Sequence, residues 1–133
     1  MLALWEKFVG LTTLAAMTCL MRSAAGDILN TDEGAALMAE AYAACEATAL
    51  AAGHPPREEA MAGFKTILTD RQSPMTASML RDLEAGGRTE GAHIVGDMLA
   101  RARAAGLEAR MLGIAWTHLQ AREARVARET GTA

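Results

Sequence analysis

Lys7 and its neighbour Glu6 are the only charged residues between Met1 and Met21, in a stretch otherwise suited to burial. An amine held in such a helix loses hydration, its pKa falls toward neutrality, and it can then hand over a proton or form a Schiff base. The plainer alternative is that Lys7 extends from the first helical turn with its ammonium in water, and spacing alone favours it. A second group lies far along the chain. Ser78 and Asp82 are four residues apart and share a helix face, and the Gly86-Gly87 turn returns the chain so that Thr89 and Glu90 head the next helix. Free N–H groups and the positive end of the helix dipole favour an anion there. Together these residues could surround a small polar ligand. Each also has an ordinary structural role as cap, first-turn acid or surface acid, and without other information that role is the simpler one.

Other candidate chemistry is weaker. Glu90 and His93 have the Glu-x-x-His spacing of di-iron bundles, with Asp97 one turn further on, but that site needs two such motifs and two more inward carboxylates. No metal is expected. His54 in a loop and His118 on the last helix have no spaced partner. Cys19 and Cys45 sit in apolar helical surroundings and read as buried, reduced thiols of a cytosolic protein. There is no Gly-x-Gly-x-x-Gly after a strand and no Walker lysine. Arg122, Arg125 and Arg128 form a stripe without aromatic interleaving, interrupted by Glu123 and Glu129, as expected of a solvated helix end rather than a nucleic-acid site.

The elements that must position these residues follow from composition and punctuation. The 133 residues (14.0 kDa) suffice for one domain, which at this size buries roughly 68% of its unfolded surface. Hydrophobic residues make up 51%, charged residues 22% and aromatics 4%, with alanine abundant, so helices are favoured and β-sandwiches or barrels disfavoured. The net charge of -3 gives no long-range attraction for nucleic acid or an anionic membrane. The apolar run Phe8 to Met21 is too short and too rich in threonine to span a membrane. The segment before it lacks the net positive charge of a signal peptide, so a cytoplasmic location is expected.

Leu2 to Met21 is apolar on nearly every face and is expected to be the central helix. Gly26 ends or follows it, and residues 27–30 read as a turn. Thr31 or Asp32 can cap a second helix to about Gly53, broken by Pro55-Pro56, and a third runs from about Arg57 to Asp70. Ser73-Pro74 reads as the start of a fourth helix closed at Gly86-Gly87, Thr89 as the cap of a fifth to about Ala105, and Arg110 to Arg128 as the sixth. Six helices then form one all-α, bundle-like domain over residues 1–128, with a frayed tail at 129–133.

Several of these segments resemble the C-terminal helical domain of the ketopantoate reductase (2-dehydropantoate 2-reductase) family. Trp5-Glu6-Lys7-Phe8 is similar to the Trp-x-Lys-Leu/Phe that opens its long central helix, and Gly26-Asp27-Ile28 to the Gly-Glu-Leu that follows. Ser78 to Glu90 is similar to its Ser-Met-x-x-Asp, Gly, Thr-Glu run in residue type and spacing. The resemblance extends through Gly96 and residues 103–106 over nearly the whole chain. It implies a fold shared with 6-phosphogluconate dehydrogenase-like enzymes.

It also implies an activity. A preceding Rossmann domain would hold NADP, and the helical domain would close over a small 2-oxo acid, reducing it to the 2-hydroxy acid. By position, Lys7 would be the general acid, Ser78 and Glu90 would place the substrate, and Asp82 would support the Ser78 segment. Leu11 and Ala15 stand where the family has asparagines one and two turns after the lysine, and residues 106–110 replace its Gly-Val-Pro-x-Pro. The expected substrate is therefore 2-dehydropantoate or a related 2-oxo acid. Only four residues precede Trp5, so the nucleotide domain is absent from this chain, which alone is expected to bind no cofactor and to be inactive. Apolar surface that would meet that domain favours a homodimer. The alternative is a non-catalytic dimerisation or small-ligand module derived from the same fold.

Overall fold

The computed structural model describes residues 1–86 and 92–131, with the side chains of Ser78 and Ala92 outside the described set. Among the described residues there are seven helices and no strand: α1 (Leu2–Met21), α2 (Ala25–Leu29), α3 (Gly34–Ala51), α4 (Glu58–Thr69), α5 (Ser78–Glu84), α6 (Ala92–Ala104) and α7 (Arg110–Thr130). The expected all-α domain is present, with one more helix than the sequence suggested.

α1 packs against all six other helices. From Val9 to Cys19 almost every residue is buried, including Thr12, Thr13 and Thr18. Helix interiors tolerate buried threonines when the hydroxyl returns to the preceding turn. Thr13 Oγ1 donates to the Val9 carbonyl at 2.9 Å and Thr18 Oγ1 to that of Leu14 at 2.7 Å. One face of α1 joins Trp5, Val9, Ala16 and Cys19 to buried residues of α3 to α7, while Leu14 and Met17 join α2, Met38 and Leu68. Methionines fill much of this core, with Met17, Met38, Met61 and Met98 almost fully buried. Their flexible thioethers fit the irregular gaps that an alanine-rich, aromatic-poor sequence leaves.

Three boundaries differ from expectation, each because backbone groups are satisfied elsewhere. α1 stops at Arg22, which takes the left-handed conformation (φ 56°, ψ 40°), so Gly26 follows the helix rather than ending it. Gly26 lies inside α2, the segment expected to be a turn, where a Cβ would come within 2.7 Å of the Arg71 carbonyl oxygen. Ser73-Pro74 does not open a helix: the Ser73 and Met75 carbonyls accept the Gly26 and Ala25 N–H groups at 2.9 and 3.0 Å. Residues 73–77 thus cap α2 in extended form, and α5 begins only at Ser78. Thr31 likewise caps nothing, since its hydroxyl donates to the Ile28 carbonyl at 2.7 Å and α3 begins at Gly34. The expected Thr89 cap lies outside the described residues.

Candidate active site

Trp5, Glu6 and Lys7 follow one another at about 100° around α1, so they face three directions. Trp5 is buried, with the Phe8 ring 5.5 Å away, the His54 ring stacked at 6.2 Å and the Arg101 guanidinium 5.4 Å from its centre. Glu6 is only 5% exposed. Its carboxylate accepts hydrogen bonds from the Arg57 backbone N–H (2.8 Å), Nε (2.9 Å) and Nη2 (2.8 Å). Those bonds, the side-chain fork foremost, hold the Glu6 pKa down at about 2. The bond to the backbone N–H also serves as a cap for α4, since Arg57 is its N-cap residue and offers no side-chain cap of its own. Pro55-Pro56 keeps the chain before Arg57 out of the helical region, and Arg57 itself is extended (φ −78°, ψ 140°).

With Trp5 and Glu6 turned into the structure, Lys7 points out and is exposed. Of the two readings of Lys7, this is the plainer one that spacing favoured, with the ammonium in water. Leu4, 66% exposed, and Leu11, 40% exposed, flank Lys7 one turn to either side. An apolar stripe with one ammonium therefore lies open on a helix that is otherwise core.

The same face of α1 leads to α5. Thr18 lies three turns beyond Lys7, roughly 16 Å along the axis, and its Oγ1 accepts the Ala77 N–H at 3.3 Å. Ala77 is the N-cap residue of α5, so the backbone of Ser78 is docked at the far end of the Lys7 face. Met79, Leu80 and Leu83 bury the inner side of α5. Asp82 is exposed, on the Ser78 side of the helix by spacing. Its charge helps hold the Cys19 thiol pKa up at about 12, though burial is the main cause. The far end of α5 is fixed twice: Arg22 forks onto Glu84 at 2.6 and 3.1 Å, and Arg122 Nη2 donates to the Leu83 carbonyl at 3.3 Å. Arg122 is only 11% exposed, so it is not part of a solvated stripe. Arg125, paired with Glu129, is.

Glu90 and Thr89 lie outside the described residues, as does the Ser78 side chain; of the expected site residues the structure describes Lys7, the Ser78 backbone and Asp82, and Ala77, next to Ser78, docks on α1 about three turns along from Lys7. His93 is exposed and Asp97 pairs with Arg101 at 3.3 Å. No group of three or more metal-ligating side chains occurs among the described residues. Cys45, like Cys19, is buried with its thiol pKa up at about 12 through desolvation. His118 Nε2 is buried without a hydrogen bond, and burial followed by the charges of Arg22 and Arg122 pushes its pKa down. Sequence spacing could not have found the Glu6–Arg57 clamp or the His54–Trp5–Arg101 stack, which join residues far apart in the chain. The one available hint was a lone carboxylate in an apolar helix, which requires a partner.

Comparison with known proteins agrees with this architecture. Over 125 residues the chain is 31% identical to YkpB of Bacillus subtilis, described as an uncharacterized oxidoreductase, covering 91% of this chain and 40% of YkpB. A PanE/ApbA family ketopantoate reductase from Ralstonia eutropha superposes with a TM-score of 0.80 at 21% identity, over 93% of this chain and 41% of that one. A dimeric ketopantoate reductase from Staphylococcus aureus gives 0.78 at 23% identity, over 93% and 43%. The chain thus spans about two fifths of the length of these relatives. Among the described residues no helix is long and apolar enough to cross a membrane. Residues 1–123 match the family model for the ketopantoate reductase PanE/ApbA C-terminal domain, and the chain belongs to that family.

Proposed function

We propose that this chain is the substrate-facing helical half of a cytoplasmic, NADPH-dependent reductase of 2-oxo acids, with 2-dehydropantoate or a relative as substrate. The observation that carries this reading is the open stripe of Leu4, Lys7 and Leu11 on an otherwise buried helix, ending at the docked N-terminus of α5. Family membership and the oxidoreductase description of YkpB support it. The described residues have no strand and no glycine-rich strand-to-helix turn, so they do not fit a dinucleotide. A reduced nicotinamide cofactor, held mainly by a preceding nucleotide domain, would supply the hydride.

What this chain contributes is a proton and a mould. Closure of a second domain over the stripe removes water from Lys7 and presses Leu4 and Leu11 against apolar surface, a burial that favours the neutral amine once its proton has gone. The Lys7 ammonium donates its proton to the substrate carbonyl oxygen as that oxygen gains charge, while Ser78 and Glu90 hold the acid and Asp82 supports the Ser78 segment. The Glu6–Arg57 clamp fixes the turn from which Lys7 extends. Leu11 makes this part of the site more apolar than an asparagine would.

Lys7→Ala, in a form of the protein that carries the nucleotide domain, is expected to lower turnover on the order of a hundredfold. Near-normal turnover would refute the assignment. The second reading is a non-catalytic dimerisation or small-ligand module, favoured by the exposed Leu11 and by Met1 and Leu4, 75% and 66% exposed. It predicts a concentration-dependent dimer that forms through this stripe and is abolished by Leu4→Glu. A homodimer also suits the reductase reading, since the Staphylococcus aureus relative is dimeric.

A further inference from the structure

A cleft of about 320 Å³ opens between α2, α3 and α4. Its floor is apolar, formed by Leu29, Met38 and Leu68, which are 3%, 1% and 5% exposed. The Tyr42 ring forms one wall, and Ala39 at the mouth presents only a methyl group, which leaves the entrance open. Two cations stand at the rim. Lys65 Nζ lies 5.9 Å from the centre of the Tyr42 ring, and Arg71 follows the end of α4. The Arg71 backbone is tied to the end of α2, because its carbonyl accepts the Asn30 Nδ2 hydrogen at 2.8 Å. The nearest acid in sequence, Asp70, is engaged by the Gln72 N–H at 2.9 Å. No carboxylate lines the cleft, and among the described residues neither Lys65 nor Arg71 has an ion-pair partner.

A closed apolar floor under two unpaired cations is complementary to one class of small molecule. The floor is apolar, with the Tyr42 and Thr69 hydroxyls the only uncharged polar side-chain groups in the lining, and the rim disfavours amines. A carboxylate can accept a fork of hydrogen bonds from a guanidinium and one from an ammonium, while a short hydrocarbon chain covers the floor. The volume is at the small end of ligand pockets, which excludes long acyl chains. We propose that this cleft binds a short aliphatic monocarboxylate, its carboxylate between Lys65 and Arg71 and its chain against Leu29, Met38 and Leu68. This site stands independently of any role for Lys7.

The test is a titration of the 133-residue chain, labelled with ¹³C at the methionine methyls, with sodium hexanoate at constant ionic strength. The expected result is a saturable shift of the Met38 methyl with millimolar affinity, absent for hexylammonium chloride over the same range. The double variant Lys65→Glu/Arg71→Glu, at two exposed positions, should weaken hexanoate binding at least tenfold while leaving the other methionine signals in place. Ala39→Leu should block the mouth and have the same effect through a neutral change. A linear, non-saturating shift, an equal response to hexylammonium, or binding that survives either variant would overturn the proposal.

Discussion

The chain has two lysines, Lys7 and Lys65, and the structure sets them in opposite surroundings. Lys7 stands on an exposed ridge of α1, between two exposed leucines. Lys65 stands at the rim of a concavity whose apolar floor this chain supplies by itself. A ridge can take part in a pocket only when something is brought down upon it, whereas a cleft can receive a small molecule without help. On the proposed roles, the contrast separates a chemical group that needs a partner domain from a binding group that does not. It also shows why an apolar sequence around a lysine is insufficient evidence of desolvation: burial is a property of one helix face, and Trp5 and Glu6 occupy the buried faces here.

The comparison can be attacked first through the core that both regions share. Met17→Ala, at a fully buried position on α1, should cost about 2–5 kcal/mol through lost contact and the cavity left behind. A urea titration measures it, and loss of structure in α1 alone, with the Lys65 cleft intact, would show that the two regions are less coupled than the shared core implies. Gly10→Ala should cost less, about 1–3 kcal/mol, because the new Cβ would strike the Phe64 ring where α4 crosses α1. A drop in Tm without loss of hexanoate binding would place that damage on the Lys7 side.

Glu6 gives a pH test of the same clamp. Its pKa is held down from 4.5 to about 2 in the folded chain, so the Arg57 pairing stabilises the fold fully above about pH 4.5 and is lost as pH falls toward 2. Glu6→Gln should lower Tm at pH 7 and flatten its fall between pH 4.5 and 2, as read by circular dichroism. An unchanged acid limb would mean that the clamp contributes nothing to stability. At the small end, Arg125→Ala removes an exposed i, i+4 pair with Glu129 and should change stability by less than about 0.5 kcal/mol. A larger loss would give the end of α7 a role that its exposure does not suggest.

Much of this arrangement was legible in the sequence. The long apolar run of α1, the Pro55-Pro56 break and the α6–α7 punctuation at Gly106 each have a local cause, and each element forms where that cause places it. Misreadings occurred where a local signal was outbid by a distant partner. Ser73-Pro74 has the chemistry of a helix start, but its carbonyls are taken by the N–H groups of α2 some fifty residues earlier in the chain. Arg122 looked like part of a solvated stripe until α5 offered it the Leu83 carbonyl. The candidate site was read as residue types through the family resemblance, and the structure adds that the backbone just before Ser78 docks on Thr18 of α1. Lys65 and Arg71 carried no signal at all, because a cleft among three helices has no sequence period.

The most direct test is competitive acetylation of the two lysines, read by mass spectrometry, on this chain alone and on a form that also carries the nucleotide domain with its 2-oxo acid. Both lysines are exposed here, so both should be modified in the chain alone. With the second domain present, Lys7 should become strongly protected while Lys65 remains as reactive as before. Equal reactivity of Lys7 in the two forms would contradict the claim that its stripe is the face on which the reductase closes.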